Sequence, residues 1–170
     1  MDVLVASASR HGATAEIAQA IAETLERAGH HATVETAEDV AEVGMYDAVI
    51  LGSAIYMGHW MEPMKALIER TAADLAHRPV WLFSSGPLGD VPMPAPEPAD
   101  VPALIEQTHS VDHRTFAGKL DRHQLGLGER IVATAVRAPE GDFRPWVEVR
   151  EWACDIARAL AREPVAQAAG

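Results

Sequence analysis

A single cysteine, Cys154, stands in the whole chain, so no disulfide can form within it and the usage fits a reducing cytosol. It falls in a stretch of helical periodicity without a His or Cys partner at metal spacing, and reads as a small buried hydrophobe. Positive charge is also short. With 14 basic against 25 acidic side chains the formal charge is −11, a field that repels phosphate backbones and anionic lipid headgroups. Nucleic acid is therefore not expected as a partner. Long apolar runs are missing as well: none approaches the ~20 residues that span a bilayer, so no integral membrane segment is expected. The start, Met1-Asp2-Val3-Leu4-Val5, lacks the basic-then-apolar signature of a secretory leader, and the protein is expected in the cytoplasm. His30-His31 and the pair His109 and His113 do not fall at metal-ligand spacings on one face, which predicts solvated histidines and no metal. No internal repeat is visible.

What is present suits one compact domain over residues 1–170. Hydrophobic residues make up 48% of the chain and charged residues 23%, enough apolar material for a substantial core and unlike a disordered chain. A short apolar run at Val3 to Ala6 predicts a buried strand. From about Ala15 to Ala28, Ile17, Ala18, Ile21, Ala22 and Leu25 recur at spacings of three and four, and Gly29 supplies a stop, which predicts a helix. A second strand is expected around Ala32 to Thr36, a short helical piece around Glu38 to Val43, and a third strand at Asp47 to Gly52. A helix over Pro63 to Ala76 would turn Met64, Leu67, Ile68, Thr71 and Leu75 inward, with Pro63 tolerated in its first turn. Val80-Trp81-Leu82-Phe83 is the fourth strand.

Prolines 87, 92, 94, 96, 98 and 102 then interrupt regular structure, so Pro87 to Asp112 reads as a loop with a short helix at Ala103 to Thr108. A fifth strand is expected around Arg114 to Ala117. Helices near Leu127 to Val136 and Pro145 to Ala161 close the chain, the latter with Trp146, Val149, Trp152, Ala153, Ile156 and Leu160 on one face. The tail after Pro164 is expected to fray. Strands alternating with helical segments predict an α/β fold with a parallel sheet covered on both faces, since parallel neighbours need crossover connections.

Open parallel sheets bind ligands beyond the carboxyl ends of their strands, so the residues just after each strand carry the functional signal. After the first strand comes Ser7-Ala8-Ser9-Arg10-His11-Gly12-Ala13-Thr14, small and hydroxyl-bearing residues that open into a helix. A helix start offers unpaired amides of partial positive charge, and small side chains let a phosphate approach them. No Lys precedes Thr14 and only Gly12 is present, so neither the G-x-x-x-x-G-K-[ST] nor the G-x-G-x-x-G nucleotide loop applies. A phosphate monoester fits better, the other reading being a simple turn. Arg10 either neutralises that phosphate or turns out to an acid such as Glu16.

The third strand empties into Gly52-Ser53-Ala54-Ile55-Tyr56-Met57-Gly58-His59-Trp60, two large aromatics beside glycines. They either stack on a flat heterocycle or cover the sheet edge. Of the four tryptophans only Trp60 is a site candidate; Trp81, Trp146 and Trp152 fall on core faces. The fourth strand ends at Ser84-Ser85-Gly86-Pro87-Leu88-Gly89, whose amides either donate to a ring's polar edge or form a surface turn. His59 either hands over a proton or bonds backbone.

Ser9-Arg10-His11-Gly12-Ala13-Thr14 resembles the flavodoxin phosphate loop, which runs Ser/Thr-x-x-Gly-x-Thr. Gly52 to His59 is similar to the corresponding loop, Gly-x-Ser/Ala-Ile-x-x-Gly-His, of the menaquinone-dependent protoporphyrinogen dehydrogenase branch, and the resemblance extends to a late Glu140-Gly141-Asp142 turn. It implies a flavodoxin-like three-layer sandwich whose five-stranded parallel sheet, of order 2-1-3-4-5, brings the three loops together. It implies one FMN as cofactor, held by Ser9, Arg10, His11, Gly12, Ala13, Thr14, Ser53, Ala54, Ile55, Tyr56, Gly58, His59, Ser84, Ser85, Gly86, Pro87 and Leu88. Stacked aromatics would also disfavour added negative charge on the reduced ring.

The implied activity is that of an FMN-binding oxidoreductase passing electrons between a reduced substrate, tetrapyrrole-like in that branch, and a quinone or protein acceptor. The alternative is a one-electron carrier docking on a basic redox partner. A third reading is a fold that has lost its cofactor and serves as an interaction module. The chain departs from the branch in the stretch after the fourth strand, which is long and basic there and here carries Asp90, Glu97, Asp100 and Glu106 among prolines. A porphyrin carboxylate or an anionic membrane finds little attraction in it, so the branch's substrate does not carry over. Flavodoxin-like enzymes often pair, which admits a homodimer, and no stretch of sequence marks an interface.

Overall fold

The computed structural model describes residues 1–86, 97–120 and 141–162. Strand β1 (Asp2–Ala8) leads into α1 (Ala13–Arg27), β2 (His31–Thr36), β3 (Ala48–Tyr56), β4 (His59–Trp60), α2 (Glu62–Leu75) and β5 (Val80–Ser85). Then come α3 (Val101–Thr108), β6 (Asp112–Phe116), β7 (Lys119–Leu120), β8 (Gly141–Asp142) and α4 (Trp146–Arg162). The main sheet runs β2-β1-β3-β5-β6, every neighbour parallel, with the two-residue β4 folded back antiparallel on β3. Setting β4 aside, this is the expected 2-1-3-4-5 order.

The apolar runs are continuous because both faces of the sheet are buried, and successive side chains alternate between two cores. Val3, Val5, Ile50, Trp81 and Phe83 point to the layer of α1 and α4, where they meet Ile17, Ile21, Leu25, Val149, Trp152 and Ile156. Leu4, Ala6, Val49, Leu51 and Leu82 point the other way, onto Met64, Leu67, Ile68 and Leu75 of α2 and Val101 and Leu104 of α3. On the first face Phe83, Phe116 and Trp152 form a trio with centroids 5.7–6.3 Å apart, Trp152 edge-to-face with each Phe and the two Phe rings tilted. Gly52 makes room for it: a Cβ there would stand 2.0 Å from Phe83 Cζ.

Helix α1 ends as its sequence predicts. Gly29 takes φ 91°, its amide bonds Glu26 O and that of His30 bonds Leu25 O, the two bonds of a Schellman stop. The segment expected to be helical at Glu38 to Val43 is instead a turn followed by irregular chain. Its carbonyls are taken by arginines from α2 and beyond: Arg70 donates to Ala37 O and Val40 O, and Arg78 to Val43 O and Tyr46 O. Buried Ala37, Val40 and Val43 anchor it without a helical ladder.

Helix α3 starts at Val101, two residues before the expected Ala103, because Pro102 is accommodated in the first turn. The Gly141-Asp142 pair, read from sequence as a turn, is strand β8 against β7. Cys154 is exposed and not buried as expected: Trp152, Ala153 and Ile156 take the core side of α4 and leave it on the outer side. The helix expected at Leu127 to Val136 and the tail after Pro164 lie outside the described residues. No described helix is long and apolar enough to cross a membrane.

Candidate functional site

The register sets three strand ends at one edge. Ala8 lies opposite Ser53, Ala54 opposite Ser85, and Ser85 opposite Phe116, so the loops after β1, β3 and β5 leave the sheet side by side. The sequence therefore brings its three candidate segments together.

The first is open at its helix start. Gly12 is the N-cap of α1 with φ 80°, a left-handed conformation that side chains resist. No side chain caps the helix, and the ladder begins with Glu16 N–H on Gly12 O at 2.9 Å. The amides of Ala13, Thr14 and Ala15 thus precede any carbonyl the helix can offer them. Nothing lies within 4 Å of where a Gly12 Cβ would be. Ser9 and His11 are half-buried, Thr14 is buried, and Arg10 is exposed with its guanidinium 5.2 Å from the Tyr56 ring centroid. A small-residue loop, an uncapped helix start and open space before it fit a phosphate monoester.

The second loop is a tight hairpin. Met57 and Gly58 both take positive φ, 51° and 83°, and turn β3 back into β4, pairing Tyr56 with His59 and Ile55 with Trp60. Ala54 and Ile55 are half-buried, whereas Tyr56 is 48% and Met57 84% exposed. The hairpin separates its two aromatics. Tyr56 stays at the edge, while Trp60, a site candidate on sequence grounds, is 2% exposed and covers the sheet as the other reading held.

Trp60 is the centre of a buried network that closes this end of the sheet. Its Nε1 donates to Ser84 Oγ at 2.8 Å, and the same hydroxyl lies 2.9 Å from His113 Nε2 on β6. Ser53 Oγ accepts the Met61 amide at 2.9 Å and donates to Ala54 O. The hydroxyls of Ser53 and Ser84 are thus engaged inside the protein. His113, expected to be solvated, is only 8% exposed in its side chain, with Nδ1 3.7 Å from Glu97 Oε1. Burial pushes its imidazole below the ordinary histidine value against the pull of Glu97 and Asp112.

Asp100, just before α3, fastens the hairpin from outside. Its carboxylate accepts the Trp60 amide at 2.9 Å and lies 3.1 Å from His59 Nδ1, while Ala99 N–H bonds Gly58 O at 3.0 Å. Burial pushes the Asp100 carboxyl up, but bonds from His59 and Trp60, with Lys65 nearby, carry it below the ordinary value. His59 is thereby bonded to a carboxylate, a partner that neither reading of the sequence named. In the third loop Ser85 is buried, and Gly86, at φ 113°, gives its amide to Phe116 O at 3.0 Å and packs beside Ile55. Pro87 and Leu88 lie outside the described residues.

Sequence reasoning missed Asp100, His113 and Arg144. Arg144 is buried beside the start of α1, 131 residues away in sequence, where it donates to Ala13 O at 3.2 Å. Its guanidinium also binds Glu16 at 2.7 Å and both oxygens of Asp142 at 2.7 and 2.6 Å. These bonds hold the Asp142 carboxyl below and the guanidinium above their ordinary values. Glu16, offered above as a partner for Arg10, accepts Arg144 and has Lys119 at 3.8 Å. Nothing local ties Arg144 to this site, because beside the nearby Asp142 its other partners, Glu16 and Ala13 O, sit on α1. Among the described residues no group of three or more His, Cys, Asp or Glu side chains could hold a metal ion.

Comparison with known proteins places this geometry. A flavodoxin from the domain Archaea superposes with a TM-score of 0.66 at 18% identity, covering 95% of this chain and 99% of that one. Oxidised flavodoxin 1 from Bacillus cereus gives 0.60 at 13% identity, over 93% and 98%. Rubredoxin oxygen:oxidoreductase from Desulfovibrio gigas gives 0.64 at 14%, over 94% of this chain and 36% of the longer one. At such identities the likeness speaks for the fold. Among curated proteins none matches. The profile described as flavodoxin domain matches residues 4–144, from the first strand through the buried arginine, and the chain belongs to that family.

Proposed function

We propose that this chain binds one FMN at the carboxyl edge of β1, β3 and β5 and passes electrons between a reduced donor and an acceptor. One observation carries the reading: in a member of the flavodoxin domain family, the uncapped start of α1 behind Gly12 opens at the strand edge shared by the two other candidate loops. Ser9, Arg10, His11, Gly12, Ala13 and Thr14 would hold the phosphate. The backbone of Ser53, Ala54, Ile55, Gly58 and His59, with the exposed ring of Tyr56, would meet the isoalloxazine, and Ser84, Ser85, Gly86, Pro87 and Leu88 would line its polar edge. Bound there, FMN supplies the capacity to take up and give back electrons. The chain's part is to hold and shield it. Asp100 binds His59, and the Trp60 network keeps the hairpin pinned to β5 and β6.

Protein purified from a flavin-replete host should be yellow, or should bind FMN at 1:1 when titrated. Colourless protein that takes up no FMN in excess would leave the interaction-module reading instead.

Two finer readings compete within this proposal. The net charge of −11 and the exposed Tyr56 and Met57 favour a carrier that docks on a basic redox partner. The likeness of the 52–59 loop to the protoporphyrinogen dehydrogenase branch favours an enzyme acting on a small reduced substrate with a quinone acceptor. A redox titration separates them: two well-resolved one-electron waves mark the carrier, one two-electron wave the enzyme.

A further inference from the structure

We propose that Arg144 is a positioning residue for the phosphate loop, neutralising Glu16 in the first turn of α1 and bracing the carbonyl of Ala13. The inference rests on the FMN reading above and adds a requirement for the cofactor's phosphate.

Glu16 poses the problem. A carboxylate in the first turn is attracted to the positive end of its own helix. It therefore competes with a phosphate for that end and repels it as a like charge. In the structure the acid is drawn aside. Arg144 Nη1 binds Glu16 Oε2 at 2.7 Å, and Lys119 Nζ stands 3.8 Å from Oε1. The same Nη1 donates to Ala13 O at 3.2 Å, so one nitrogen joins the acid and the opening residue of the helix.

Arg144 is itself held firmly. Its side chain is 2% exposed, and Asp142 grips it from two oxygens, at 2.7 Å to Nε and 2.6 Å to Nη2. The Trp146 ring lies 4.4 Å below the guanidinium carbon. A buried guanidinium is costly unless partnered, and here all three of its nitrogens are engaged. Glu16 and Asp142 against Arg144 and Lys119 sum to zero charge next to the helix start. A dianion arriving at Ala13 and Thr14 then meets the helix dipole without an opposing acid.

A bland role, tying β8 to α1, makes a different prediction. The test compares FMN with riboflavin, which shares the ring and lacks the phosphate, using fluorescence titration of the full chain. Arg144→Met should weaken FMN about tenfold and leave riboflavin within about twofold. Glu16→Gln, at a half-exposed site, should tighten FMN about two- to fivefold, in line with one charge at a helix start, again without effect on riboflavin. The double variant should recover part of the FMN affinity lost in Arg144→Met. Equal losses for both flavins, or no loss for either, would overturn the inference, and so would Glu16→Gln binding FMN as the wild type does or more weakly. Glu16→Gln decides the question alone where Arg144→Met does not fold. Failure of the wild type to bind FMN at all would instead overturn the function proposed above.

Discussion

The serine-bearing strand ends along the carboxyl edge of the sheet are alike in composition and opposite in structure. Beyond β1, the loop from Ser9 to Gly12 leads to a helix that no side chain caps, with open space before Gly12. Within the last residues of β3 and β5, Ser53 and Ser84 are wholly buried, and their hydroxyls bind Met61, Trp60 and His113. At one end the first amides of α1 have no side-chain cap; at the other the hydroxyls hold the hairpin. Hydroxyl-rich strand ends therefore do not announce ligand contacts by composition. Whether a large partner such as Trp60 folds back onto them decides.

The comparison breaks most sharply at Trp60. Trp60→Ala should empty the closed end and lower stability by about 3–5 kcal/mol, the usual loss for a buried large aromatic, read as a lowered midpoint in urea unfolding. A loss below about 1 kcal/mol would show that the network does not hold the hairpin. Ser84→Ala comes next. It leaves the Trp60 indole N–H without its partner, and should lower stability by about 1–3 kcal/mol in thermal unfolding.

At the open end the expected effect on stability is smaller. Gly12→Ala meets no neighbouring atom and suffers only the left-handed backbone, so it should lower stability by about 1–2 kcal/mol. FMN affinity should fall more steeply, since the loop itself is displaced; calorimetric titration against the wild type checks this, and unchanged affinity would count against the open-end reading.

The smallest effect is a pH slope. Burial holds the folded His113 below its ordinary 6.5, so the unfolded chain takes up the proton more readily. Its contribution is then full above pH 6.5 and is lost as the pH falls from there to the lowered folded value. Unfolding free energies across that window should flatten in His113→Gln, and a slope that persists would belong to another group.

Sheet order and layers were legible because burial on both faces leaves continuous apolar runs, as at Val3 to Ala6 and Val80 to Phe83. The stop at Gly29 and the inward faces of α2 and α4 were legible for the same local reason. What escaped was long-range. The turn at Met57-Gly58 carries a non-glycine residue at positive φ, so nothing local signalled the hairpin that buries Trp60. Arg70 on α2 and Arg78 just after it replace a helical ladder between Thr36 and Asp47 from further along the chain. Asp100 reaches Trp60 40 residues away and Arg144 reaches Ala13 O 131 residues away, and the exposure of Cys154 depended on how α4 is rotated against the sheet.

The central claim, that the open start of α1 and the two neighbouring loops form one FMN site, is tested most directly by following backbone amide resonances of the labelled protein during FMN addition. The account predicts saturable 1:1 shifts concentrated at Gly12, Ala13 and Thr14, at Ala54 to His59 and at Ser85 and Gly86. Saturable shifts that spare residues 12–14, or no shifts at all, would contradict it.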